Sequence, residues 1–357
     1  MVRPWEFPNF GKEHVFLPLA GGSWRGPCEC NKKVLSALKS MGLERGLARK
    51  DGASSWRPTR LKPTLSVNRD APNRAQEIAH QFNAASQAIS TPPPTLKFMA
   101  ILNLTKDSFS DGGNLLPAGA LEETVALRKS EGASWLDLGA ESTRPGAEPV
   151  AEKDQLDYLL PAIRRILPFK IPISIDTRSA KVAKNCLEAG ATMVNDVSGF
   201  AYDPAMPELV AEKDCPVVLM HMRGTPSTMN SKDSYADLFG EVADELAQRA
   251  RAALDAGIRH NRILLDPGIG FAKNAEASRA LLNRIGAFKS LGFPLLAGPS
   301  RKSCLDPKGL TKPADRDPAT FEAAVTCANQ GVAILRLHQG KKWAAISKSS
   351  LAKEIFT

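Results

Sequence analysis

The chain lacks any long apolar run. Nowhere in its 357 residues does a stretch approach the roughly 18 continuous apolar positions of a membrane-spanning helix, so an integral helical membrane protein is excluded as a reading. The first 30 residues carry Pro4, Glu6, Pro8 and Gly21–Gly22 where a secretory signal needs an apolar segment. A soluble protein of the cytoplasm is the expectation. The alternative is a mitochondrial or plastid address if the basic N-terminus is a leader, although its Glu and Asp residues count against one. Cysteine is scarce as well. Cys28, Cys30, Cys186, Cys215, Cys304 and Cys327 are too few and too scattered for a disulfide framework in a chain this long, and they suit a reducing compartment. Cys28-Glu29-Cys30 has no second pair with which to complete a metal site, so its thiols read as incidental.

A concentrated basic face is also missing. The net charge is +9, but residues 1–95 carry 14 Lys/Arg against 7 Asp/Glu while the remainder carries 33 against 31. The excess is spread among Pro, Gly and Ser rather than gathered on one helical face, which speaks for solvation and against nucleic acid as a partner.

What the chain does have is rhythm. From Phe98 onward short apolar runs alternate with helical stretches of roughly 10–20 residues. The runs are Phe98–Asn103, Ser134–Leu138, Ile171–Asp176, Thr192–Val197, Pro216–His221, Arg262–Asp266, Phe293–Gly298 and Val332–His338. Each is rich in Ile, Leu and Val, as expected of parallel strands buried on both faces. Helices are expected over Leu121–Glu131, Asp154–Ile166, Ala180–Ala189, Tyr235–Ala256 and Glu276–Leu291. Gly132, Gly190, Gly257 and Gly331 close helices just before the next strand, where a left-handed C-cap favours glycine. Eight such units over residues 96–357 predict an α/β fold, the (β/α)₈ TIM barrel, with a doubly wound open sheet as runner-up. Residues 1–95 show no such rhythm and read as an irregular basic extension. Within it Arg74–Ile89 fits one amphipathic helix, Ser90–Pro94 a stiff connector, and residues 1–60 have no assigned element. Lacking a periodic apolar face there, the segment 1–60 is expected to be removable without loss of the barrel.

A barrel places its chemistry just after the strands, and this sequence puts polar groups there every time. Strand one ends in Asn103, two leads into Glu141-Ser142-Thr143-Arg144, three ends in Asp176 and four in Asn195-Asp196. Five ends in His221, six in Asp266, seven is followed by Ser300-Arg301-Lys302, and eight carries Arg336 and His338. Singly these have plain explanations: Asp176 and Asp196 as helix N-caps, Lys302 as surface charge, His221 as a satisfied core histidine. Together they outline a mouth with carboxylates and amides from strands three, four and six facing cations from seven and eight. Such a mouth suits a polar, amide-like heterocycle beside an anion.

MAILNLTKDSFSDGG and LDLGAESTRPGA closely resemble the two signatures of the dihydropteroate synthases. ISIDTRSAKVA, VNDVSGF, LMHMRGTPSTM, ILLDPGIGFAKN, GPSRKS and RLH are similar to that family's remaining blocks, in order, from about Leu96 to His338. The resemblance implies condensation of 6-hydroxymethyl-7,8-dihydropterin diphosphate with 4-aminobenzoate, giving 7,8-dihydropteroate and pyrophosphate. It implies a pterin pocket of Asp176, Asn195, Asp266 and Lys302, walled by Met220 and Phe271. It implies a diphosphate site of Asn103, Arg336 and His338, with Asn103 contacting Mg²⁺. Thr143 and Arg144 then belong to a mobile second loop and Phe109 to the first. Ser300 and Arg301 are expected to open a helix whose N-terminus receives the 4-aminobenzoate carboxylate. A homodimer is what the resemblance implies for assembly.

Lys106, Ala272, Asn274 and Gln339 depart from the family's usual Pro, Gly, Thr and Asp. GKEHVFLPLA faintly resembles the closing segment of the pterin pyrophosphokinase fused ahead of some of these synthases, so residues 1–95 also read as a remnant of that domain. Three rivals stand beside the synthase reading. A pterin-binding methyltransferase explains the Asp, Asn and Asp set but not the two long signatures. A Schiff-base aldolase needs its Lys inside a strand, whereas Lys302 lies beyond one. A non-catalytic pterin-binding relic is separated by a turnover assay.

Overall fold

The computed structural model describes residues 17–18, 24–26, 32–48, 54–58, 70–90, 95–104, 119–143, 146–306, 309 and 311–351. These fall into two units, one formed by Met1–Thr91 with Tyr235–Arg251 and Gly286–Phe293, the other by Pro92–Ser234, Ala252–Ile285 and Pro294–Thr357.

The first unit corrects the reading of an irregular extension. Strands β1 (Leu17–Pro18), β2 (Trp24–Gly26), β3 (Leu43–Ala48) and β4 (Ser54–Pro58) form an antiparallel sheet in the order β1-β2-β4-β3, with helices α1 (Lys32–Ser40) and α2 (Asn73–Ser90). Trp24, Val34, Leu38, Leu43 and Trp56 share a buried apolar cluster with Ile78, Ala79 and Phe82 of α2. Trp24 meets the Phe82 ring edge-on at 5.0 Å. Strands of two to six residues are too short for period-two patterning to stand out, and among the described side chains β2, β3 and β4 give the apolar core Trp24, Leu43 and Trp56. The two later segments join this unit through contacts no local pattern announces. Arg25, almost fully buried, pairs with Asp237 at 2.9 Å and Asp244 at 3.3 Å, and Phe239 stacks on Phe288 at 6.0 Å.

The second unit is the expected barrel. Its strands are β5 (Lys97–Asn103), β6 (Trp135–Gly139), β7 (Ile173–Asp176), β8 (Met193–Asp196), β9 (Val217–Met220), β10 (Ile263–Asp266), β11 (Leu296–Ala297) and β12 (Ile334–Leu337). All neighbours pair in parallel in the order β10-β9-β8-β7-β6-β5-β12-β11. A parallel bridge between Leu265 and Leu295 joins the two ends, which decides for closure over an open sheet. The helices between and after these strands in sequence are α3 (Ala120–Ser130), α4 (Glu152–Ile166), α5 (Ala180–Glu188), α6 (Met206–Lys213), α7 (Leu238–Asp255), whose residues through Arg251 belong to the first unit, α8 (Ala275–Asn283), α9 (Asp317–Asn329) and α10 (Trp343–Leu351). The four glycines read as C-caps all take positive φ, from 80° to 118°. Where one long helix was expected over Glu276–Leu291, α8 ends at Asn283 and a 3₁₀ stretch follows over Ile285–Leu291. No helix among the described residues is long and apolar enough to cross a membrane.

Alternation along the strands sorts this barrel into layers. Met99, Met193, Val218, Leu264, Leu296 and Ile334 form one apolar cluster, with Trp135 packed against it. Two residues further along, on the same face, come Ile101, Asp137, Asn195, Met220, Asp266 and Arg336. An apolar plug thus supports a polar layer at the C-terminal ends.

Two outcomes test the first unit. Trp56→Ala should cost about 3–5 kcal/mol in denaturant unfolding, the usual loss for a fully buried aromatic. Deleting residues 1–60 should uncover Ile78, Ala79 and Phe82 and sharply lower the yield of soluble protein; an undiminished yield with unchanged melting would restore the view that the segment is dispensable.

Candidate active site

Asp137 and Arg336 occupy the centre of the polar layer. Asp137 is fully buried, and its Oδ2 accepts from Arg336 Nε at 2.6 Å and from Asn195 Nδ2 at 3.1 Å. Arg336 Nη2 donates to Asp176 Oδ2 at 2.6 Å. One guanidinium therefore bridges two carboxylates from neighbouring strands, and one of these also orients the Asn195 amide. Burial works against charge on Arg336, but the adjacent Asp137 and Asp176 outweigh it and hold its pKa above the ordinary value. Burial pushes the Asp176 carboxyl upward, and Arg336 opposes that shift. Asp137 was missed in the sequence, though an acid inside the apolar run WLDLG was a visible signal, since an unpaired buried carboxylate is costly.

Asp266 closes β10 and accepts from the Gly268 amide at 2.8 Å. Burial lifts its carboxyl to about 6, with the Gly268 amide, Lys302, Lys273 and Arg336 pulling the other way. Gly268 has φ +69°, and a Cβ there would lie 2.0 Å from the His221 carbonyl oxygen, so the turn admits only glycine. Lys302 Nζ sits 3.9 Å from the centre of the Phe271 ring, and burial lowers its ammonium to about 8. Phe271 clusters with Val197, Met220, Met222, Met229 and Ala272. The wall expected from Met220 and Phe271 is thus one continuous apolar patch beside Lys302.

Beyond this lies a cavity of about 290 Å³ lined by Ile101, Leu102, Asn103, Thr124, Arg128, Arg301, His338 and Gln339. His338 Nδ1 is 2.9 Å from Ser300 Oγ, which also accepts the His338 backbone amide at 3.2 Å. The Ser300 hydroxyl thus holds both the ring and the backbone of His338, with the donor of the ring bond set by the imidazole tautomer. Burial, then the charges of Arg301 and Arg336, depress His338 to about 3. The imidazole is therefore neutral, where the sequence reading had counted it among the cations. Arg336 and His338 share a strand face, yet Arg336 is engaged by Asp137 and Asp176 while His338 lines the cavity with Asn103.

Ser300 and Arg301 do not open a helix, which corrects the expectation of a helix terminus for the carboxylate. Arg301 has φ +58°, which a right-handed helix cannot accommodate, and among the described residues two 3₁₀ turns, Ser303–Leu305 and Pro313–Arg316, precede α9 at Asp317. Arg301 instead grips Asp317 through two bonds of 2.7 and 2.9 Å. Several plain readings are also decided. Asp176 is no N-cap, because Ser179 caps α5. Asp196 is structural, its carboxylate accepting the Ser198 and Phe200 amides at 2.8 Å each. His221 is fully buried and bonded to Lys273 at 2.8 Å. Asn274, where the family usually has Thr, caps α8 through the Ala277 amide. Ala272 sits at φ 48°, so the departure from Gly places a methyl group in a strained region. Thr143 is half-buried on the second loop; Phe109, Lys106 and Arg144 lie outside the described residues.

Asp137→Asn tests the bridge. It keeps the shape but removes one of the two charges on Arg336, so turnover per unit of pterin ester should fall about tenfold or more, the worth of a charge-assisted hydrogen bond. Steady-state kinetics on folded protein reads this, and unchanged kcat/KM would show that Asp176 alone holds the guanidinium.

Comparison with known proteins places this geometry. The family described as pterin binding enzyme matches residues 99–338. The dihydropteroate synthase of Synechocystis sp. is 43% identical over 256 residues, covering 70% of this chain and 87% of the relative. The Xanthomonas albilineans dihydropteroate synthase with 4-aminobenzoic acid has a TM-score of 0.66 at 36% identity, covering 72% of this chain and 93% of that one. The Anaplasma phagocytophilum dihydropteroate synthase with bound 6-hydroxymethylpterin-monophosphate has a TM-score of 0.65 at 30% identity, covering 72% and 99%. The chain belongs to the pterin binding enzyme family, among its dihydropteroate synthases.

Proposed function

We propose that this chain condenses 6-hydroxymethyl-7,8-dihydropterin diphosphate with 4-aminobenzoate to form 7,8-dihydropteroate and pyrophosphate. The observation that carries the reading is the division of the barrel mouth. Buried Asp176, Asn195 and Asp266 stand with Lys302 on an apolar wall, next to a cavity lined by Asn103, Arg301 and His338. The first half suits the N–H donors and ring acceptors of a pterin, the second a diphosphate.

In this scheme Asp266, Asn195 and Asp176 hold the heterocycle, and Lys302 donates to its carbonyl and ring nitrogen while resting on Phe271. Asn103 and the His338 imidazole face the diphosphate, with Arg336 and Arg301 contributing positive charge. Ser300 and Arg301 are the groups proposed for the 4-aminobenzoate carboxylate, with Thr143 near the diphosphate and the incoming amine. The C–O bond between the exocyclic methylene and the diphosphate breaks, and its electron pair leaves with pyrophosphate. The amino nitrogen forms the new C–N bond, and its proton passes to pyrophosphate or water. No strong base is required, which agrees with a neutral His338.

The donor set also bears on the metal. Among the described residues no group of three or more His, Cys, Asp or Glu is placed to hold one. The Asn103 amide oxygen would be this chain's contact to a Mg²⁺ that arrives with the diphosphate. Bound there, Mg²⁺ supplies charge neutralisation to the leaving group.

Purified protein given the pterin diphosphate, 4-aminobenzoate and Mg²⁺ should release pyrophosphate and dihydropteroate in equal amounts. Pterin binding without product would favour the non-catalytic relic. Asp266→Ala should weaken pterin binding by about 1.5–3 kcal/mol while the protein stays folded. Pterin affinity of the unaltered protein should fall as pH drops below about 6, where Asp266 takes up a proton, loses its charge and turns one acceptor oxygen into a donor. Calorimetry at pH 5 and pH 7.5 checks the sign, and equal affinity at both would remove Asp266 from the site.

A further inference from the structure

Lys273 is buried two residues beyond Phe271, and the condensation chemistry assigns it no contact with either substrate. Its Nζ donates to the Phe271 carbonyl at 2.9 Å and lies 2.8 Å from His221 Nδ1 and 3.4 Å from the His221 carbonyl. The same carbonyl closes over Gly268, whose Cα hydrogen faces Lys273 Nζ: a Cβ there would be 3.4 Å from it. The His221 amide in turn donates to the Asp266 carbonyl at 2.8 Å. One ammonium group thus joins the end of β9 to the turn after β10, at the residues that present Asp266 and Phe271.

We propose that Lys273 is a positioning residue for the pterin pocket, pinning the 266–274 turn to His221 so that the Asp266 acceptor and the Phe271 wall stay in place. The inference rests on the pterin-binding reading above. A leucine or methionine of similar length would fill the same space more cheaply, since a buried ammonium must be compensated on every side. The His221 ring nitrogen and the His221 and Phe271 carbonyls around it explain the choice of lysine. The charge has a second effect. Asp266 is faced by the Gly268 amide, Lys302 from the turn after β11, Arg336 from β12 and Lys273, and all four favour its ionised form against burial. Removing the Lys273 charge takes away one of these, so Asp266 protonates at higher pH and pterin affinity is lost earlier as the solution is acidified.

The test compares Lys273→Met and Lys273→Arg with the unaltered protein, each titrated calorimetrically with 6-hydroxymethylpterin from pH 5 to pH 8.5. Lys273→Met should shift the acid limb of affinity upward by about one pH unit. Lys273→Arg should restore the original limb. A folded Lys273→Met with the original limb overturns the proposal. So does failure of both Lys273→Met and Lys273→Gln to fold while Lys273→Arg folds, because the lysine is then a structural support alone. Absence of pterin binding in the unaltered protein overturns the underlying functional reading instead, and so keeps the two failures apart.

Discussion

A part-buried guanidinium shared between two buried carboxylates is the constraint on which the site depends. Arg336 reaches from β12 to Asp137 on β6 and Asp176 on β7, spanning the polar layer above the apolar plug. Without it, two carboxylates would sit in the barrel mouth with their mutual repulsion and desolvation uncompensated. With it, Asp137 also orients the Asn195 amide, so three strand ends are tied together by one cation. The barrel makes this possible, because a parallel closed sheet sends every second side chain inward at a similar height.

The remainder of the mouth is held in an electrostatically unfavourable state. Burial lifts Asp266 to about 6 and lowers Lys302 to about 8 and His338 to about 3. These shifts have definite signs in stability. Asp266 is destabilising when ionised, a penalty that grows as pH rises from its unfolded value near 4 through about 6. His338 stabilises while neutral, and that contribution is lost as pH falls from 6.5 toward about 3. Groups held this way are poised for a ligand that supplies the missing partners, and their clustering at one rim is the mark of a binding site.

Shape is maintained by elements with no direct place in the chemistry. Gly268 lets the turn after β10 close onto β9, Asn274 starts α8, and the Arg301–Asp317 fork fixes the backbone of the SRKS segment. The Arg178–Glu141 pair, bonded at 2.8 and 3.1 Å, does the same beneath the second loop. Each fixes a connection against a neighbouring strand end or helix start, which is how a rim of connections can present side chains with the regularity of the strands below.

The sequence by itself determined the barrel and most of its rim. Runs of Ile, Leu and Val bounded by capping glycines have only a few ways to be buried, and strand-end positions follow directly from where the runs stop. Asn103, Asp176, Asn195, Asp266 and His338 were legible for that reason. Tertiary structure alone decided who pairs with whom. Arg336 lies 199 residues from Asp137, and nothing local announces that bond or the neutral state of His338, which depends on burial and on Arg301 and Arg336 nearby. The N-terminal sheet was hidden for a related reason. Its strands are two to six residues long, and its buried Arg25 finds Asp237 and Asp244 more than 200 positions away. Periodicity reports an element only when the element is long enough to repeat, whereas charge pairing and core closure are properties of distance in space.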